Sequence, residues 1–433
     1  MSGSSIALIL SIAIFGLTYL GILTEKMHRT LVVLLGAVAM ICVGTWAHFY
    51  SSAGAIEAVD YNTVVLLFGM MVLVALFKET GFFEYVAIVA ARLTGGRPWL
   101  LFLSLGLATT LISMILDNVT TIILMIPVTM SIADILGVSM IPFLIGEVML
   151  SNIGGVATLV GDPPNILIGT AAGFSFMDFV THLAPIVLFV WALAQGILLL
   201  LFRGVLFEVP PNTARLRQLK PRDALTDARS TKRLLVVLGA VIALFFIHDR
   251  IGLESGIVAL LGATAGLLWL WPDLRTVLKE VHWDVLVFFI GLFVIVGGLE
   301  AAGALDIAAR AMGDLTTHGI ALAALSLLWL SGIMSAVVDN VPFTIAMLPV
   351  LTALSAKGVH TAPLWWALAL GVGFGGNATP VGATSNVIAI SASEKTRNPI
   401  GAKLWLKHGL PIAFGSCVLA SLLLFAAVEL HLF

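Results

Sequence analysis

Two short motifs each place an aspartate beside an asparagine within an apolar segment. The first, at 116–121, reads Leu-Asp-Asn-Val-Thr-Thr, and the second, at 338–344, reads Val-Asp-Asn-Val-Pro-Phe-Thr. A carboxylate at the centre of a bilayer costs about 3 kcal/mol on insertion scales, so such residues usually mark polar cavities or proton carriers. Asp117 and Asp339 are therefore candidate proton carriers. The alternative is that each only stabilises a tight turn.

A second pair of motifs combines glycines with polar side chains. The run at 151–165 reads Ser-Asn-Ile-Gly-Gly-Val-Ala-Thr-Leu-Val-Gly-Asp-Pro-Pro-Asn, and the run at 373–386 reads Gly-Phe-Gly-Gly-Asn-Ala-Thr-Pro-Val-Gly-Ala-Thr-Ser-Asn. Paired glycines allow a helix to unwind, although they also serve close helix packing. All four motifs together supply these candidate substrate and ion ligands: Asn118, Thr120, Asn152, Thr158, Asp162, Asn165, Asn340, Asn377, Thr379, Thr384, Ser385 and Asn386. For Asp162 the alternative is a helix cap, with Pro163 in the first turn.

The four motifs form two copies of one pattern. Asp117 recurs as Asp339 at an offset of 222, and six residues of the second motif recur at an offset of 221: Gly154, Gly155, Ala157, Thr158, Gly161 and Asn165. A constant offset over so many matches indicates an internal repeat. Ala383 stands where the first copy has Asp162, so the two copies cannot form equivalent sites.

Composition excludes several classes of protein. The chain has 433 residues, of which 60% are hydrophobic and 11% charged, with a net charge of -2. Soluble proteins carry about 25% charged residues, so an ordinary soluble enzyme, a disordered chain and a nucleic-acid-binding protein are excluded. The only cysteines, Cys42 and Cys417, allow neither a disulfide framework nor a zinc site. Catalytic motifs are absent as well, so we expect no enzyme, no metal site and no cofactor.

The apolar runs predict an all-α integral membrane protein. A transmembrane helix needs about 20 apolar residues. Runs of suitable length lie at 6–24, 31–49, 62–77, 180–202, 233–247, 256–271, 284–299 and 409–430. The first run lacks a basic leader and a cleavage pattern, so we interpret it as a transmembrane helix, not as a signal peptide. Two re-entrant hairpins at 99–136 and 320–354, and two discontinuous helices at 140–173 and 363–393, bring the expected total to about ten transmembrane helices in addition to the hairpins.

Basic residues orient the chain. The connection at 203–233 joins the repeats and holds eight basic residues, so we place it in the cytoplasm. The loop with Lys26 and Arg29, and the loop with Lys395 and Lys407, belong on the same side for the same reason. These sides agree if each repeat crosses the bilayer five times and each hairpin enters and leaves on one side.

An odd number of crossings makes the repeats inverted. The repeats at 1–202 and 234–433 then run in opposite directions, with both termini on the non-cytoplasmic side. The first hairpin enters from the cytoplasm and the second from outside. Inverted repeats with broken helices are a transporter architecture that binds its substrate near the midplane. We therefore predict a secondary transporter of the inner (plasma) membrane that works by alternating access.

The motifs resemble those of the ion transporter superfamily over nearly the whole chain. That superfamily includes the arsenite permeases, the NhaD-type sodium/proton antiporters, the melanosomal P protein and the divalent anion/sodium symporters. The run at 151–165 is most similar to the arsenite permease and P protein branch. The resemblance implies inverted repeats, each with a re-entrant hairpin and a discontinuous helix. Because some arsenite permeases bind an ATPase subunit, the connection at 203–233 is either a docking site for one or a plain connector, and a homodimer is also open.

The residues at the hairpin tips help to predict the substrate. Sodium-coupled dicarboxylate members of the superfamily carry Ser-Asn-Thr at both tips, whereas this chain carries Asp-Asn-Val. A carboxyl group buried in a membrane can gain and lose a proton near neutral pH, which favours proton coupling. We predict proton-coupled efflux of arsenite and antimonite, whose neutral trihydroxides suit amide and hydroxyl side chains. The alternatives are a sodium/proton antiporter and a transporter of another small anion from the same superfamily.

Overall fold

The computed structural model describes residues 3–24, 27–208, 220–394, 396 and 399–433. All regular secondary structure in these ranges is helical. Eight of the described helices are long and apolar enough to cross a bilayer. The predicted all-α membrane fold is therefore confirmed.

Ten helices make up the first half. They are α1 (Gly3–Leu23), α2 (Arg29–Trp46), α3 (Ser52–Glu57), α4 (Tyr61–Lys78), α5 (Phe82–Leu93), α6 (Pro98–Ser113), α7 (Asn118–Leu136), α8 (Ile141–Gly155), α9 (Pro163–Ala172) and α10 (Phe176–Leu201). In its described residues, 203–208 and 220–227, the connection between the halves holds two short helices, α11 (Arg203–Leu206) and α12 (Pro221–Ala224).

The second half repeats the ten helices of the first half in the same order. They are α13 (Ala228–Ile247), α14 (Ser255–Leu270), α15 (Leu274–Glu280), α16 (Trp283–Ala301), α17 (Leu305–Thr317), α18 (Ile320–Val337), α19 (Asn340–Ala356), α20 (Ala362–Gly375), α21 (Thr384–Glu394) and α22 (Ala402–Glu429). The sequence analysis did not predict the amphipathic helices α5 and α17, because their apolar residues lie on one face only.

The two halves pack against each other through equivalent pairs of helices. α2 of the first half packs against α16 of the second, and α14 of the second packs against α4 of the first. Glycines make this close approach possible. A Cβ atom on Gly69 would lie 2.7 Å from the backbone of Ala259, and one on the equivalent Gly291 would lie 2.6 Å from the Val33 side chain. The hairpin of each half also packs against the discontinuous helix of the other half. α7 contacts α21, and α19 contacts α9.

The outer surface is apolar. Leu17 of α1, Leu111 of α6 and Phe414 of α22 are among many large hydrophobic side chains that are exposed. Such a surface is suited to contact with lipid acyl chains and not with water.

Part of the orienting charge lies outside the described residues. The basic residues concerned are Lys26, Arg215, Arg217, Lys395 and Arg397. The sidedness of the loops, the repeat boundaries and the docking of an ATPase subunit on the connection at 203–233 therefore stay predictions.

Candidate transport site

Both hairpins reverse inside the protein. α6 ends at Ser113 and α7 begins at Asn118, whereas α18 ends at Val337 and α19 begins at Asn340. The two tip asparagines are buried. The predicted hairpin segments are thus helix pairs with their turns in the interior, and each tip aspartate directly precedes the returning helix.

The break of the first discontinuous helix packs against the first hairpin. It lies between the end of α8 at Gly155 and the start of α9 at Pro163. A Cβ atom on Gly161 would lie 2.6 Å from the carbonyl oxygens of both Gly155 and Ser113. Because real Cβ atoms do not approach an oxygen so closely, the fold requires glycine at this position.

The second half repeats this contact between α20 and α21. A Cβ atom on Gly382 would lie 2.5 Å from the Gly376 carbonyl oxygen and 3.0 Å from that of Ser335. Both breaks are therefore tight backbone turns seated on a hairpin tip.

Four of the predicted ligands hold these breaks together. The Asn165 amide donates to three carbonyl oxygens of the first break at 2.8–3.2 Å. The Asn386 amide donates to two carbonyl oxygens of the second break, each at 2.8 Å. The hydroxyls of Thr158 and Thr379 donate to backbone carbonyls at the first and second tips. These side chains satisfy backbone groups that unwinding would otherwise leave unpaired.

A cavity of about 40 Å³ lies where the two tips meet. Water needs about 10–15 Å³ of such space, so the cavity can hold a few water molecules or a small solute. Its polar and charged lining consists of Arg29, Asp117, Asn118, Thr120, Asp162, His282, Asp339, Asn340 and Thr384. The remaining predicted ligands do not line this cavity: Asn152, Thr158, Asn165, Asn377, Thr379, Ser385 and Asn386.

Asp162 joins the two halves at this cavity. Only 1% of the residue is exposed. One of its carboxylate oxygens accepts a hydrogen bond from the Asn118 amide at 3.3 Å. Each of the two oxygens also lies 3.3 Å from the Asn340 amide nitrogen. Asp162 occupies the N-cap position of α9, as the alternative interpretation expected, but its side chain makes no capping hydrogen bond to that helix. A buried carboxylate is costly unless it is hydrogen-bonded, and here one amide from each half supplies the bonds.

Asn152 forms a second bridge between the halves beneath the cavity. Its oxygen accepts hydrogen bonds from Asn118 at 3.1 Å and from the Ser385 hydroxyl at 2.7 Å. Its amide donates to the oxygens of Asn377 at 2.8 Å and Asn386 at 3.0 Å. All four hydrogen-bonding positions of the side chain are satisfied, so Asn152 holds Asn118, which lines the cavity, in place.

Asp117 is bound by its own helix. One carboxylate oxygen accepts the Thr120 backbone N–H at 2.8 Å, and the other accepts the Thr120 hydroxyl at 2.5 Å. This is an N-cap of α7. Asp117 therefore stabilises the turn, as the alternative interpretation proposed, and it also lines the cavity.

Asp339 is not bound by its own helix. The position equivalent to Thr120 is Pro342, which has no N–H and no hydroxyl to donate. One oxygen of Asp339 instead forms an ion pair with Arg29 at 3.2 Å and accepts the Thr384 hydroxyl at 2.8 Å. Arg29 also donates to the Thr384 hydroxyl. The other carboxylate oxygen is buried and accepts no hydrogen bond from the described residues.

The cavity opens towards the α1–α2 connection. Arg29, Asp339 and Thr384 also line a vestibule of about 320 Å³ whose other walls come from that connection, α16, α18 and α21. A depression of about 530 Å³ beside the start of α4 shares no lining residue with the cavity. The ion pair therefore stands at the open entrance of the site.

An asparagine links three helices beside the depression at the start of α4. Asn62 donates to the hydroxyls of Thr170 at 3.1 Å and Ser255 at 3.3 Å, and it accepts the Gly256 N–H at 2.8 Å. These bonds join α4, α9 and α14. The repeat equivalent of Asn62 is Asp284, which is exposed and faces the vestibule on the open side.

Two residues of the site, Arg29 and His282, were not predicted as site residues from the sequence. Arg29 served only to orient a loop, but both side chains line the cavity. A basic residue or a histidine at the start of an apolar helix is common, and neither recurs in the repeat, so no sequence signal distinguished them.

Residues 19–371 match the model of the citrate transporter family. The chain belongs to this family. It is 39% identical over 422 residues to an uncharacterized transporter of Mycobacterium tuberculosis, covering 96% of this chain and 98% of that protein. It is also 30% identical to the human P protein over 96% of this chain and 59% of that protein. The resemblance to the ion transporter superfamily is thus confirmed, and the chain is a membrane transporter, not an enzyme.

A solved transporter structure shares the fold of this chain. The YdaH transporter of Alcanivorax borkumensis, whose crystal structure is described as having an unusual topology, superposes with a TM-score of 0.61. The match covers 94% of this chain and 99% of that one at 14% sequence identity. At this identity the likeness shows the fold alone.

Proposed function

We propose that this protein is a proton-coupled secondary carrier of a small, oxygen-rich solute that works by alternating access between inverted halves. Asp162 carries the proposal, because its carboxylate accepts hydrogen bonds from an amide of each half at the central cavity. A group held by both halves is affected when they move relative to each other. Its protonation can therefore be linked to the side on which the cavity opens.

The charge of the cavity favours a neutral solute or a cation. Three carboxylates, those of Asp117, Asp162 and Asp339, face the single guanidinium of Arg29. Citrate, named in the description of the family model, carries three carboxylates of its own near neutral pH and would be repelled. A cavity of about 40 Å³ is also small for such a molecule. Citrate is therefore not the proposed solute.

Arsenite and antimonite are the proposed cargo. Their neutral trihydroxides need hydrogen-bond partners without strong charge, and Asn118, Asn340 and Thr384 present amides and a hydroxyl to the cavity. The proposed direction is efflux, with protons moving the opposite way. If the α1–α2 connection is cytoplasmic, as its basic residues predict, the open vestibule admits solute from the cytoplasm. Asp117, Asp162 and Asp339 are the proposed proton carriers.

A sodium/proton antiporter is the second candidate. It is favoured by the buried oxygen of Asp339 that accepts no hydrogen bond from the described residues. Hard cations prefer oxygen ligands, and this oxygen lies among the carboxylates and amides of the cavity.

Everted membrane vesicles with an acidic interior test the proposal. Labelled arsenite should accumulate against its gradient, and dissipating the pH gradient with nigericin should release it. Accumulation of labelled sodium in place of arsenite would support the second candidate. Simple equilibration of both solutes would contradict proton-coupled transport of either.

A further inference from the structure

We propose that protons pass between Asp117 and the solvent through a passage separate from the vestibule that admits the solute. This inference rests on the proposed proton coupling and gives it a route. The passage is a second cavity of about 40 Å³, lined by α4, α7 and the connection that leads into α16. Its volume is enough for a few water molecules.

The passage adjoins the central cavity beside the first hairpin tip. Met71, Thr120 and His282 line both spaces. The hydroxyl of Thr120 donates to the carboxylate of Asp117, so a group that can both accept and donate a proton stands between the passage and the acid. His282 supplies a titratable imidazole at the same junction.

An ion pair lies at the other end of the passage. Lys78, at the end of α4, contacts the carboxylate of Glu280, at the end of α15, and both side chains are partly exposed. The titratable groups that line the passage are these two and His282. Glu280 can exchange protons with the solvent, whereas the charge of Lys78 repels metal cations. The rest of the lining is apolar and consists of Met71, Val74, Ala75, Ile123 and Leu124.

The repeat does not duplicate the groups of this passage. The positions equivalent to Lys78, Glu280, Thr120 and His282 are occupied by Glu300, Ala58, Pro342 and Asp60. A glutamate and an alanine cannot form an ion pair, and proline has no hydroxyl. The glycine contacts at the breaks occur in both halves because the fold needs them twice. The ion pair, the tip hydroxyl and the imidazole occur once, beside Asp117, as a dedicated proton route would require.

Two assays on purified protein in vesicles separate the route from the solute site. An internal pH dye records proton movement driven by an arsenite gradient or a sodium gradient. Exchange of labelled arsenite at equal pH on both sides records solute movement without net proton transfer. His282→Phe fills the junction, and Glu280→Gln removes the acid at the entrance. Glu79→Gln is the matched control, since this exposed acid adjoins Lys78 but does not line the passage.

We expect His282→Phe and Glu280→Gln to slow proton movement by about tenfold or more, the scale of losing a proton-transfer group. Exchange should stay close to wild type in Glu280→Gln, Glu79→Gln should match wild type in both assays, and His282→Gln should restore part of the proton movement lost in His282→Phe. Equal losses in the two assays for Glu280→Gln would assign this residue to the solute site and overturn the separate route, as would unchanged proton movement. A wild type that couples neither solute to protons contradicts the proposed function itself, whereas a coupled wild type with insensitive variants contradicts only the passage.

Discussion

The two hairpin tips carry the same Asp-Asn pair and use it differently. At the first tip, Asp117 accepts the backbone N–H and the hydroxyl of Thr120 and so caps its own helix. At the second tip, Pro342 can donate neither bond, and Asp339 instead pairs with Arg29 across the entrance. One residue type at one repeat position thus determines whether the acid is held locally or is free to meet another element.

The comparison separates scaffold from chemistry. The glycine contacts and the threonine and asparagine bonds to the breaks occur in both halves. Asp162 and the Arg29 ion pair each occur in only one half, since Ala383 replaces the aspartate in the second copy. The repeated features support the backbone, and the features that occur once give the cavity its charge.

Removing the central carboxylate should have the largest effect. Asp162→Asn keeps the shape of the side chain but cannot carry a proton, so pH-driven transport should fall by about 100-fold or more. Initial rates of solute uptake in vesicles measure this. Asp134→Asn, an exposed acid on α7, is the control and should transport normally. Wild-type rates in Asp162→Asn would remove the central acid from the mechanism.

Adding a methyl group at either break should destabilise the protein by a similar amount. Gly161→Ala and Gly382→Ala each place a Cβ atom within 2.6 Å of a carbonyl oxygen. Overpacking of this kind costs about 1–3 kcal/mol. Thermal unfolding in detergent should show similar losses for the two variants and little change for Gly196→Ala, whose added Cβ meets open space. A loss confined to one half would break the equivalence of the scaffolds.

A double-mutant cycle should detect the ion pair at the second tip only. Arg29→Gln should cost about 1–3 kcal/mol, between the values for exposed and buried pairs. Adding Asp339→Asn should cost less than the sum of the two single changes, because the unpaired carboxylate is then gone. The cycle of Arg29→Gln with Asp117→Asn should show much weaker coupling, because these two side chains share the cavity but form no ion pair. Coupling of equal size at both tips would refute the difference between them.

Removal of the cap should be detected at the first tip. Asp117→Ala loses a side-chain N-cap and should cost about 1 kcal/mol, whereas Asp117→Asn keeps a good capping residue and should cost little. Chemical denaturation of the purified protein can resolve this difference. Equal stability of the two variants would mean that Asp117 does not stabilise α7.

Restoring the cap at the second tip should have the smallest effect. Pro342→Thr supplies the N–H and hydroxyl that Asp339 lacks and should stabilise α19 by about 0.5 kcal/mol. The coupling between Arg29 and Asp339 should weaken at the same time, because the carboxylate turns towards its own helix. If both quantities stayed at their wild-type values, the proline would not explain how the tips differ.

Much of the scaffold could be predicted because its motifs occur in both repeats. A constant offset located Asp117 and Asp339 at equivalent turns, and the glycine pairs located both breaks. The short amphipathic helices could not be predicted from apolar run length, since α5 and α17 bury only one face.

The roles of individual polar residues were harder to predict. Asn165 and Asn386 were placed correctly near the breaks, but residue type alone did not show that their amides bind backbone carbonyls and not a solute. Arg29 and His282 reach the cavity from the starts of α2 and α16, far from the tips in sequence. Contacts of this kind depend on how the halves pack, and one sequence without its fold does not contain that information.

A cryo-EM map of the protein in lipid nanodiscs tests the central claim most directly. We expect the amides of Asn118 and Asn340 to meet the carboxylate of Asp162 in one hydrated cavity enclosed by both halves. We also expect Asp117 and Asp339 to face that cavity. A map in which the two tips are separated by lipid, or in which these acids point towards acyl chains, would contradict it.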